Sequence, residues 1–133
     1  MAVIRLSNTS RNARLTALVT AIGANGLVRF YTGTMPASPD TAATGTLLGT
    51  LTASATFGTV SNGVMTANPI ANDESADADG VVAWARISTS AGVGVIDVDV
   101  TNTAGTGIIK MNTTNIYAGG PLQISSFSLT EPA

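Results

Sequence analysis

The chain contains no cysteine and no histidine. The first absence removes disulfides, thiolate metal sites and thiol nucleophiles together; the second removes the commonest general base and metal ligand at neutral pH. Charge is scarce as well, at 11% Asp, Glu, Lys and Arg against roughly 25% in an ordinary soluble domain. So few ions leave little to hydrate a free surface, and a surface of this kind is expected to be covered by partners. Six basic residues are too few and too scattered to neutralise a phosphate backbone, and the formal charge of -2 points the same way. No nucleic-acid partner is expected. Apolar runs stay well short of the ~18 residues of a membrane span, and the first residues lack the apolar segment of a signal peptide. No membrane partner is expected, and the chain is expected to be made and to stay in a cytoplasm-like compartment unless it leaves inside an assembly.

What is present is 44% hydrophobic but only 5% aromatic, so the apolar content is mainly Ala, Val, Leu and Ile set among Thr, Ser and 14 glycines. β-Branched residues fit pleated surfaces, and Gly and Asn supply positive φ at tight turns. The composition therefore predicts many short strands. Residues 1–133 are expected to form one domain, which at this length buries roughly two-thirds of its unfolded surface without staples.

After a short extended start at Ala2 to Leu6, the segment Ser7 to Ile22 predicts the one helix, about residues 8–22. Ser7 or Thr9 suits its N-cap and Gly23 its C-terminal stop. Leu15, Leu18, Val19 and Ile22 recur at three- and four-residue spacing as an apolar stripe. Arg11 and Arg14 lie off that stripe, on a face open to solvent or to an acidic partner.

Strands follow from about residue 27 onward. Leu27 to Thr32 alternates, and Gly33 to Gly45, with Pro36, Pro39 and small polar residues, reads as a long surface loop of the kind that is functional or ordered by a partner. Thr46 to Ala53 predicts a second strand. Phe57-Gly58 and Ser61-Asn62-Gly63 mark turns, the latter an Asn-Gly hairpin signal leading into Val64 to Ile70. Pro69 places that strand at an edge or ends it. The acidic stretch Ala71 to Gly80 reads as a solvated turn. Val81 to Thr89 carries Trp84, the largest packing contributor. In Val95 to Thr101, Ile96, Val98 and Val100 point inward while Asp97, Asp99 and Thr101 point outward. The closing run Ile108 to Leu129 has short apolar segments separated by Asn112 to Asn115 and by Gly119-Gly120-Pro121. Its hydrophobic face changes between Ile124 and Phe127, which a bulge near Ser125-Ser126 would allow. The expected fold is mainly β: a single antiparallel β-sandwich of jelly-roll or Ig-like type, with about seven or eight strands and one N-terminal helix.

Constellations for chemistry are incomplete. Ser75 to Gly80 imitates the first half of a calcium loop, but Arg86 stands where its bidentate Glu belongs and a strand follows where a helix should. Asp97 and Asp99 sit at a spacing that superficially suits a glycosidase pair, yet no aromatic sugar platform accompanies them. Gly92-Val93-Gly94 lacks the third glycine of a dinucleotide fingerprint, and no G-x-S-x-G or S-x-x-K setting is present. No catalytic residue, metal or cofactor is expected, and the chain is not expected to be an enzyme.

The series Arg29 to Ala37, Gly45 to Leu51, Asn62-Gly63-Val64, Trp84-Ala85-Arg86 and Tyr117 to Leu122 with Ser126 to Pro132 resembles small virion structural proteins of tailed bacteriophages and prophages. The resemblance covers most of the chain from Leu27 onward and lies in turn and strand signatures. It implies a capsid decoration, or cement, protein that binds and stabilises the shell of major capsid protein, self-associates as a dimer or trimer, and resides on the virion surface after assembly in the host cytoplasm. The residues assigned to partner binding are Tyr31, Met35 and Pro36 at the start of the long loop, and Arg11 and Arg14 on the helix. The same composition permits a tail or head-tail connector component, or a carbohydrate- or host-receptor-binding β-sandwich module.

Overall fold

The computed structural model describes residues 3–130. Ala2 of the expected extended start, and Glu131 and Pro132 of the resemblance, lie outside the described residues. One helix precedes ten strands: α1 (Asn8–Ile22), β1 (Leu27–Tyr31), β2 (Leu47–Thr52), β3 (Gly58–Ser61), β4 (Val64–Ala67), β5 (Gly80–Val81), β6 (Trp84–Ser88), β7 (Gly94–Asn102), β8 (Ile109–Met111), β9 (Asn115–Ile116) and β10 (Ser126–Thr130).

The helix follows its sequence signals. The Ser7 hydroxyl accepts from the Ser10 amide, and Gly23, at φ 73°, donates to the Val19 carbonyl. These bonds satisfy backbone groups that a helix end otherwise leaves unpaired. Of the apolar stripe, Leu15 and Ile22 are fully buried, while Leu18 and Val19 are half-buried. The helix packs against β3, β4 and β7.

Eight strands join in one continuous curled sheet, a half-barrel, in the order β2-β1-β6-β7-β8-β10-β4-β3. This corrects the expectation of an all-antiparallel arrangement, because β7 and β8 pair in parallel while their neighbours run antiparallel. β5 and β9 form a separate two-stranded ribbon. A single cluster of buried side chains lines the sheet, with Phe30, Leu51, Ile87 and Val98 from one half and Met65, Ile109 and Phe127 from the other. Phe57 meets Phe127 edge to face with ring centroids 5.4 Å apart, a favoured aromatic geometry.

Several boundaries differ from expectation for identifiable reasons. Phe57-Gly58 does not turn: Gly58 opens β3 and lies so close to β4 that an added Cβ would sit 2.6 Å from both the Thr66 carbonyl oxygen and the Met65 sulfur. The glycine marks close strand packing there. The Asn-Gly turn is as expected, with φ of 52° at Asn62 and 74° at Gly63, the left-handed pair of a tight hairpin. β4 stops at Ala67, before Pro69. The expected strand Val81 to Thr89 breaks at Val82-Ala83, because Val82 donates to Thr114 and Ala83 to Tyr31, handing the chain from the ribbon to the main sheet. In the closing run, Leu122 bridges Asp73, the chain bends at Ser125, and β10 begins at Ser126. A bend with a change of pairing partner, rather than a bulge within one strand, produces the change of face.

Candidate partner-binding surface

The residues proposed for partner contact divide into three groups. Tyr31 belongs to the interior: it is 9% exposed and its ring stacks on Trp84, centroids 4.7 Å apart and planes 15° from parallel. Met35 and Pro36 are half-buried in the long loop, and Arg11 is half-buried on α1 while Arg14 is exposed. Arg11 donates to Asn8 Oδ1 at 3.1 Å and lies over Gly63, while Asn12 Oδ1 accepts from the Gly63 amide at 2.8 Å. The helix face expected to meet an acidic partner is thus partly committed to holding the β3–β4 hairpin. Arg11 and Arg14 lie on α1, which packs on β3, β4 and β7, whereas Met35 and Pro36 lie in the long loop.

The long loop is strapped to the sheet. Across β2, β1, β6 and β7 the residues Thr50, Arg29, Arg86 and Asp97 stand in register. Two arginines directly opposite each other repel, and Asp97 offsets this by accepting from Arg86 Nε at 2.7 Å and from an Nη at 3.0 Å. The Asp97 side chain is 3% exposed and that of Arg86 10%. This corrects the expectation that Asp97 is exposed on its outward face; Asp99 is exposed, and its carboxylate accepts from the Ile108 amide at 3.0 Å. The remaining Arg86 donors reach the Thr41 carbonyl at 2.6 Å and the Ser38 carbonyl at 3.3 Å. The guanidinium carbon also sits 5.5 Å from the Trp84 ring centroid, within cation–π range. The hydrogen bonds that Arg86 donates to Asp97, opposed by burial, raise the guanidinium above its ordinary value. Gly45, at φ 85°, closes the loop where an added Cβ would collide with the Thr32 carbonyl oxygen.

The acidic stretch is structural rather than a free solvated turn. Asp73 accepts from the Thr50 amide at 3.1 Å and from the Ser75 amide at 3.0 Å. The Asp77 amide donates to the Leu48 carbonyl. These bonds cover the outer edge of β2, which would otherwise present unpaired backbone groups. Asp79 accepts from the Ala118 amide at 2.6 Å, tying this stretch to the turn after β9. Among the described residues no three Asp, Glu, His or Cys side chains gather to hold a metal ion.

Two shallow hollows mark the surface, one bounded by Met111, Asn112, Thr113, Pro121 and Gln123, the other by Ala67 to Ile70 and Ile124 to Phe127. Neither is lined by a carboxylate or a cation. Large apolar side chains are exposed at Val3, Ile4, Val81, Val93 and Tyr117. Sequence reasoning missed Asp73, Asp97 and Tyr117 as organising or surface features. Only the proximity of Trp84 and Arg86 on one strand face hinted that something would cover that face. No helix among the described residues is long and apolar enough to cross a membrane.

No protein-family model, no curated protein and no solved structure matches this chain.

Proposed function

We propose that the chain is a virion structural protein of a tailed bacteriophage, a capsid decoration protein that binds the shell of major capsid protein and strengthens it, and that it acts as a self-associated dimer or trimer. The observation that carries this reading is the way a sparsely charged surface is held rigid. The 33–45 loop is pinned by the buried Arg86–Asp97 pair, so little ordering cost remains to be met when its half-buried Met35 and Pro36 meet a partner. The resemblance of Arg29 to Ala37 and Tyr117 to Leu122 to phage virion proteins supports the same reading. In this view the half-barrel is a sandwich-like body whose two halves face each other across the shared core, placed on the outside of the virion after assembly in the host cytoplasm.

Quantitative mass spectrometry of purified particles tests the proposal. A copy number comparable to that of the shell subunit fits decoration, a single ring of copies reassigns the chain to a connector, and a few copies on fibres make it a receptor-binding module. Particles assembled without the chain are expected to lose resistance to heat and osmotic shock. Equal resistance with and without it would remove the cementing role.

A further inference from the structure

Among the described residues, four of the five large exposed apolar side chains fall in two places, the fifth, Val93, lying between β6 and β7. Val3 and Ile4 are 71% and 74% exposed on a segment without regular structure that precedes α1, so they do not pack on their own chain. Val81, 57% exposed, lies on the β5–β9 ribbon, and Tyr117, 71% exposed, follows directly after β9. Val81 pairs with Asn115, two residues before Tyr117.

Charge divides between the same two places. Arg5 is exposed beside Val3 and Ile4, and no carboxylate occurs in the sequence before Asp40. Glu74, Asp77 and Asp79 are exposed around the ribbon. The ribbon is anchored at the β2 end of the strand order, through the bond from Asp77 to Leu48. The helix that follows the basic segment packs on β3 and β4 at the other end.

We infer that the segment Val3-Ile4-Arg5 of one copy docks on the β5–β9 ribbon of another, with Val3 and Ile4 against Val81 and Tyr117 and Arg5 facing Glu74 and Asp77. Each surface is apolar at its centre and charged at its margin, and the charges are opposite. The two patches are different, so the contact is either exchanged reciprocally between two copies in a closed dimer or runs head to tail around a ring such as a trimer. It is small beside the ~1,600 Å² of a standard interface, so each joint is weak and closure of the dimer or ring supplies the avidity. The inference names a surface for the self-association contained in the proposed function. It does not depend on capsid binding.

Sedimentation velocity of the full chain over a range of concentrations, at low and high salt, tests it. Association is expected to weaken as salt rises. Arg5→Glu, and separately Glu74→Lys with Asp77→Lys, are each expected to weaken it about tenfold, and mixing the two variants restores it because the reversed charges again match. Tyr117→Ser weakens it without changing the salt dependence. Melting curves matching that of the unaltered chain show that the variants fold. A chain that stays monomeric throughout, or association indifferent to both charge reversals, overturns the proposal and leaves the ribbon to a different protein. Because only purified protein is used, failure here is distinct from failure to bind a shell.

Discussion

Arg86 on β6 grips Asp97 on β7 through two hydrogen bonds, and with its remaining donors holds the carbonyl oxygens of Thr41 and Ser38 in the loop above. One side chain therefore joins two strands to a segment more than 40 residues earlier in the chain. Removing either partner leaves a buried charge without its counter-ion, at a cost of about 3–5 kcal/mol. Arg86→Met and Asp97→Asn are each expected to lower the denaturant midpoint accordingly and to open residues 33–45 to proteolysis. The double variant Arg86→Met, Asp97→Leu should recover much of the stability while the loop stays cleavable. That combination would separate the energetic role of the pair from its role as a strap.

The same pair has a defined pH behaviour. Hydrogen bonding to Asp97 raises the Arg86 guanidinium above its ordinary value. A cation raised on folding contributes stability that is fully present below its unfolded pKa and lost only as pH rises through the folded one. Both lie far into alkali. The stability difference between the unaltered chain and Arg86→Met should stay constant from about pH 7 to 9, as followed by chemical denaturation. A difference that shrinks over this range would mean that a different group controls the loop.

The Tyr31–Trp84 stack is the largest aromatic contact on the loop-covered face. Trp84→Ala should cost about 3–5 kcal/mol. Tyr31→Phe keeps the stack and should cost under about 1 kcal/mol. Trp84 Nε1 is buried without a hydrogen-bond partner, so Trp84→Phe removes an unpaired donor along with some packing and should fall between those two. As the single tryptophan, 1% exposed, Trp84 should emit at short wavelength and resist iodide quenching until the chain unfolds.

Asp73 guards an edge. Its carboxylate holds the Thr50 and Ser75 amides, and Asp73→Ala leaves these donors without their partner at about 1–3 kcal/mol. The uncovered β2 strand then becomes a template for pairing with other chains. Light scattering during refolding should show increased aggregation for Asp73→Ala, with Asp73→Asn intermediate because its amide oxygen still accepts.

Truncation before Pro121 removes Leu122, fully buried, and Phe127, 4% exposed. It also removes β10, which lies between β8 and β4. Two new edges and an open core should make the product insoluble. A soluble fragment that melts cooperatively would show that the half-barrel survives without its joining strand.

Local signals set much of this architecture before any tertiary contact. Ser7 and Gly23 bound the helix because a hydroxyl acceptor and a residue tolerant of positive φ are what its two ends need. Asn62-Gly63 makes the β3–β4 turn for the same kind of reason, and Pro69 lies beyond the end of β4. The alternation in Leu27 to Thr32 set Val28 and Phe30 apart from Leu27, Arg29 and Tyr31, and Val28 and Phe30 are fully buried. What the tertiary structure alone decided is which polar residues are hidden and which strands are neighbours. Alternation assigns Asp97 to the face opposite the core, but only the return of residues 33–45 over that face, held by Arg86, makes it buried. The parallel pairing of β7 with β8 and the interior position of β10 depend on contacts between distant segments. Neither leaves a local pattern, because a strand's period reports how many faces are apolar and says nothing of the partner across the hydrogen bonds.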